Sequence, residues 1–104
     1  MAPESDGEVL IAEDVRQELK EPSPYRVLLL NDHYTTMEFV IEVLREIFGK
    51  SEPEAMSIML KIHHEGRGVA GQYTFEIAET KKSQTETRAR EKGFPLQCEL
   101  EEAT

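Results

Sequence analysis

Cysteine is almost missing from this chain: Cys98 is the one thiol in 104 residues. A lone cysteine forms no intrachain disulfide, so the oxidising compartments that favour disulfide scaffolds gain no support. Long apolar runs are missing too. Val27–Leu30 cannot span a bilayer, and Val9–Ala12, set among acidic residues, is too short for the core of a signal peptide. Positive charge is scarce, with 12 Lys and Arg against 21 Asp and Glu and a formal net charge of −9. Phosphate recognition runs on clustered Lys and Arg, so neither nucleic acid nor a membrane is expected as a partner. An acidic surface favours cationic ligands or basic patches on a protein partner. The expected location is cytoplasmic.

What is present suffices for one small domain, whose core buries roughly 60–65% of the unfolded surface. Residues 1–24 stand apart. They hold seven acidic residues against Arg16 and Lys20, no aromatic, and a closing Pro22-Ser23-Pro24. That composition reads as an acidic, disordered N-terminal extension, followed by a folded core over residues 25–104.

Within the core, YRVLLL at residues 25–30 reads as a buried strand bounded by Pro24 and Asn31-Asp32. Thr35 or Thr36 caps a helix beginning near Met37, whose apolar residues recur at three- and four-residue steps until Gly49. Ser51 and Glu54 have the spacing of a capping box, with Pro53 in the first turn. Ala55, Met56, Met59, Leu60, Ile62 and His63 form the inner stripe predicted for that second helix, which ends at Gly66. A strand over 69–74, a polar third helix over 75–92 and a short strand over 96–100 complete the pattern. The predicted fold is a single α+β domain, β-α-α-β-α-β, with three helices packed on a small three-stranded antiparallel sheet.

Enzyme templates find little support. Gly66, Gly68 and Gly71 have G-x-G-x-x-G spacing, but they lie between a helix and a strand, whereas a dinucleotide loop follows a strand. Cys98 has the alternation of a core strand residue, not the setting of a nucleophile. His63 and His64 are adjacent, and adjacent helical side chains diverge, whereas paired helical zinc ligands sit four residues apart. No enzymatic activity, cofactor or metal is expected.

The informative region is NDHYTTMEFV, Asn31 through Val40, together with Met59, Ile62 and His63 at i, i+3 and i+4 on the second helix. Each residue also has a plain structural reading: Asn and Asp as turn formers, methionines as core filler, His63 as a structural histidine. Together they describe an apolar hole rimmed by an amide, a carboxylate and an imidazole. That rim suits a cationic group joined to an apolar side chain. A peptide α-amino group, with a pKa of about 7.7–8.0, is such a group.

YRVLLLNDHYTTMEFVIEVL, MLKIHHEG, TFEIAETK and PLQCELE resemble, in order and in spacing, the ClpS family of N-end-rule adaptors of the Clp protease. The resemblance implies binding of proteins whose N-terminal residue is Leu, Phe, Tyr or Trp, and their delivery to the AAA+ unfoldase ClpA for degradation by ClpP. It implies that Asn31, Asp32 and His63 hold the substrate α-amino group. Thr35, Met37, Val40, Met59, Ile62 and Leu96 would form the side-chain pocket, with Met37 as a gatekeeper against β-branched residues. Tyr34, Glu76, Lys81 and His63 would meet the unfoldase's N-terminal domain. The acidic leader matches an extension needed for delivery. Two positions depart from the family's usual NDDYTPMEFV: His33 stands for an acidic residue and Thr36 for proline. The first should weaken attraction for an ammonium group; the second should leave the helix entry less fixed in φ.

Overall fold

The structure, a computed structural model, describes residues 22–103. Most of the acidic leader expected over residues 1–24 lies outside the described residues. Strand β1 (Tyr25–Leu30) is followed by helices α1 (Met37–Glu46) and α2 (Glu52–Glu65), strand β2 (Arg67–Tyr73), helix α3 (Phe75–Glu91) and strand β3 (Cys98–Glu102). This is the predicted order. The three strands form one antiparallel sheet in the order β2-β1-β3.

The central position of β1 explains its near-continuous apolar run. Val27 and Leu29 face the helices and are fully buried, while Leu28 faces the other side, opposite Val69 and Glu99. On that open face, ion pairs join Arg26 to Glu101 and Arg67 to Glu99 across the strands. The helical face holds one core, in which Val43, Leu44, Ala55, Ala70, Ala78, Ala89 and Leu96 are at most 1% exposed. Phe39 packs on Phe94, with ring centroids 5.0 Å apart.

Helix ends follow from local chemistry. Thr36 is the N-cap of α1 and accepts a hydrogen bond from the Phe39 N–H at 3.1 Å. Ser51 and Glu54 complete the expected capping box on α2. Gly66, at φ 94°, ends α2 with its N–H bonded to the Ile62 carbonyl, a conformation open to glycine because it has no Cβ.

Four local expectations need adjustment. Helix α1 ends at Glu46, short of Gly49, although Ile47 and Phe48 stay buried. Strand β2 begins at Arg67, directly after the Gly66 cap. The last strand runs Cys98–Glu102 instead of 96–100. On α2, Met56 and Leu60 are each 43% exposed, and His63 is exposed as well, so the buried stripe narrows to Ala55, Met59 and Ile62.

Helix α3 is polar because its inner face binds backbone as well as apolar side chains. Lys82 donates to the Cys98 carbonyl at 2.8 Å, and Glu86 accepts the Cys98 N–H at 2.9 Å. Arg90 donates to the carbonyls of Phe94 and Leu96, both at 2.9 Å. These three residues, one helical turn apart, clamp the strap that leads into β3. The strap's peptide groups thereby gain partners that the sheet does not offer them.

Candidate functional site

Beyond Leu30, the Asn31 N–H donates to the carbonyl of Gly66 at 2.8 Å. The start of this loop is thereby tied to the C-terminal end of α2, one turn from His63. Asp32 then organises the remainder of the loop. Its Oδ1 accepts from the N–H groups of Tyr34 and Thr35, at 2.8 and 2.6 Å, and its Oδ2 accepts from the Thr35 hydroxyl at 2.7 Å. Partial burial opposes ionisation of this carboxylate. The hydrogen bonds from Thr35 and Tyr34, aided by nearby His33, outweigh it and hold the Asp32 carboxyl below its ordinary value.

The loop delivers the chain into α1, whose first turn carries Met37 and Val40. Across from it, Met59, Ile62 and His63 share one face of α2. Between them lies a cavity of about 520 Å³, lined by residues 31–37 together with Val40, Met59, Ile62 and His63. Its apolar floor is firm: Val40 and Met59 are each 6% exposed and Ile62 is 3% exposed. Met37 differs, at 47% exposed. Asn31, Asp32 and His63 add an amide, a carboxylate and an imidazole to the lining. A group binding here meets hydrogen-bonding and anionic groups together with an apolar floor. This combination suits a ligand with an ammonium head and a bulky apolar side chain.

Of the residues singled out from sequence, Asn31, Asp32, Tyr34, Thr35, Met37, Val40, Met59, Ile62 and His63 line this cavity. Leu96 does not; it is 1% exposed within the core and lies on the strap held by Arg90. Glu76 and Lys81 lie on α3, at other surface hollows. The Lys81 ammonium donates to the Ile47 carbonyl at 2.7 Å and lies 5.6 Å from the Tyr73 ring centre, so it also closes the end of α1. His33 and Thr36, which lie within the Asn31–Val40 stretch but are not among the binding residues expected from sequence, join the lining. Their place between two lining residues in a short loop was the available signal.

Other chemistries find less. The His63 and His64 rings meet edge-on with centres 5.3 Å apart, and no group of three His, Cys, Asp or Glu is placed to hold a metal among the described residues. Burial, with Glu86 adding to it, pushes the Cys98 thiol up to about 12, which keeps it protonated and unreactive at neutral pH. No helix among the described residues is long and apolar enough to cross a membrane.

The family model described as ATP-dependent Clp protease adaptor protein ClpS matches residues 20–99. The chain is 53% identical over 102 residues to the ATP-dependent Clp protease adapter protein ClpS of Oleidesulfovibrio alaskensis, covering 98% of this chain and 94% of that one. Its likeness to the Wolinella succinogenes protein of the same name is 51% over 102 residues, covering 98% of each. For the Burkholderia cenocepacia protein it is 55% over 93 residues, covering 89% of each. Among solved structures, Agrobacterium tumefaciens ClpS2 bound to L-phenylalaninamide superimposes with a TM-score of 0.77 at 38% identity, covering 80% of this chain and all of that one. Sequence and fold agree: the chain belongs to the ClpS family of adaptors of the ATP-dependent Clp protease.

Proposed function

We propose that this adaptor recognises the free N-terminal residue of its substrates, preferring Leu, Phe, Tyr and Trp, and delivers them to the ClpA-type AAA+ unfoldase for degradation by ClpP. One observation carries the reading: a single cavity has an apolar floor of Val40, Met59 and Ile62 and a lining that includes Asn31, Asp32 and His63. L-phenylalaninamide, the ligand in the Agrobacterium tumefaciens ClpS2 structure, joins a free α-amino group to a bulky side chain, as a peptide N-terminus does.

Two terms then combine. Burying a Leu or Phe side chain contributes about 1.5–3 kcal/mol. Charge-assisted hydrogen bonds from the α-ammonium to Asn31, Asp32 and His63 add about 1.5–3 kcal/mol each, before the costs of association. Thr35, Met37 and Val40 read the side chain, and Leu96 belongs to the core cluster that also holds Val40, Met59 and Ile62. Tyr34 and His63, with Glu76 and Lys81 on α3, form the surface offered to the unfoldase's N-terminal domain, and the acidic leader assists delivery.

Fluorescence anisotropy with peptides differing only in their first residue tests this reading. Leu, Phe, Tyr and Trp should bind at least about tenfold tighter than Gly, Ile or Val. Indifference to the first residue would replace the reading with that of a module docking on a partner's folded surface.

A further inference from the structure

Gly68 on β2 touches the floor of the cavity from behind. It is buried, and a Cβ built on it would lie 2.9 Å from Cγ1 of Ile62, 3.4 Å from the Ile58 carbonyl oxygen and 3.6 Å from Cγ2 of Ile58. The first distance is below any ordinary carbon–carbon contact. Ile62 is β-branched and restricted at χ1, and Cγ1 is the middle of its side chain, so the clash is not relieved by swinging a flexible tip. Its backbone lies in the last turns of α2, whose end is fixed by the Gly66 cap and the Asn31–Gly66 hydrogen bond. Ile62 is 3% exposed and surrounded by core except where it lines the cavity, so the cavity is the open space into which it can yield.

We infer that Gly68 is a specificity-determining positioning residue: its missing side chain seats Ile62 against β2 and thereby sets how large an N-terminal side chain the cavity accepts. The inference rests on the proposed recognition of N-terminal residues and deepens it. Gly68 itself does not line the cavity; it acts through Ile62. A methyl group at position 68 moves Ile62 into the cavity and removes room where the largest side chains reach. Loss should therefore be steep for Trp and Phe and slight for Leu. A purely structural role for Gly68 would weaken all peptides alike.

The test is a set of anisotropy titrations with Leu-, Phe- and Trp-initiated peptides on the full chain, comparing wild type, Gly68→Ala, Ile62→Ala and the double variant. Gly68→Ala should lower the Trp-to-Leu affinity ratio by about tenfold. In the Ile62→Ala background, where the contacted carbon is gone, the same substitution should leave the ratio unchanged, a coupling that a double-mutant cycle isolates. If Gly68→Ala alone does not fold, the double variant carries the test by matching Ile62→Ala in both folding and preference. An unchanged ratio in folded Gly68→Ala, a uniform loss across peptides, or an equal effect in the Ile62→Ala background would overturn the inference. A wild type indifferent to the first residue would overturn the recognition reading and this inference with it, and the wild-type arm alone reveals that outcome.

Discussion

Asp32 grips Thr35 twice, through the Thr35 N–H at 2.6 Å and the Thr35 hydroxyl at 2.7 Å. With the Tyr34 N–H included, three donors meet one carboxylate that has about four acceptor positions. One position, on Oδ2, is left for a ligand. The carboxylate shapes the loop and, on the proposed reading, also offers charge to the ligand; substitutions separate the two tasks. Thr35→Val removes the hydroxyl bond alone and should cost about 1 kcal/mol of stability while binding survives in weakened form. Asp32→Ala should cost more in stability and abolish peptide binding. Denaturant titration paired with anisotropy checks both.

At Thr36 the chain has threonine where the family's usual pattern has proline. Without the proline ring the entry is less fixed in φ, but Thr36, one of the two cap candidates in the sequence, accepts the Phe39 N–H through its hydroxyl, at φ −75°. Proline adopts that φ without strain but provides no hydroxyl. Thr36→Ala should therefore destabilise by about 1 kcal/mol. Thr36→Pro should lie within about 0.5 kcal/mol of wild type, because the lost cap is offset by a stiffer unfolded chain. Thermal denaturation of the two variants distinguishes them.

Met37 lines the cavity from an exposed position, whereas Val40, Met59 and Ile62 beside it are buried. Shortening it should open room beside the Cβ of a bound first residue. Met37→Ala is expected to improve affinity for Ile- and Val-initiated peptides by about tenfold while leaving Leu within a few-fold. Anisotropy with that peptide set checks the gatekeeper role, and unchanged selectivity would remove it.

The clamp of α3 on the strap makes a statement about acid stability. Partial burial works against ionised Glu86, but the Cys98 N–H, the Lys82 ammonium and the charge of Arg90 more than offset it, so its carboxyl is held below the ordinary value. A carboxylate whose folded pKa is depressed contributes stability above its unfolded pKa, about 4.3 for Glu, and loses it as pH falls through the lower folded value. Asp32 behaves in the same sense, with an unfolded pKa of about 3.9. Glu86→Gln should therefore lower stability at pH 7 by about 1–2 kcal/mol and have a shallower decline below pH 4 than wild type. Denaturant midpoints measured from pH 2 to pH 7 give both quantities.

How much of this was legible beforehand depended on the kind of signal. Helix caps announce themselves locally, and Ser51-Glu54 and Gly66 are read from spacing alone. Strand β1 was equally plain, because a central strand covered by helices is apolar along its length. The polar side of α3 was not legible as a packing face: Lys82, Glu86 and Arg90 look solvated until the strap from Phe94 to Cys98 is laid against them. The register of β3 slipped for the same reason, since Leu96 is buried as part of that strap and not as a strand residue. On α2, periodicity marked Met56 and Leu60 as inner residues, but the helix has neighbours only along a narrower line. At the cavity, residue types suggested the chemistry. Proximity required the Asn31–Gly66 bond that brings the loop to α2, and a main-chain contact of that kind leaves no trace in side-chain pattern.

The central claim is that the cavity reads a charged α-amino group together with a side chain. Acetylating the N-terminus of a Leu-initiated peptide removes the charge and adds bulk at the polar part of the cavity, while the leucine is untouched. Anisotropy with the free and acetylated forms of one labelled peptide measures this directly. The expected result is saturable binding of the free peptide and a loss of at least about a hundredfold on acetylation, the scale of two charge-assisted hydrogen bonds. Equal affinities for the two forms would contradict the claim.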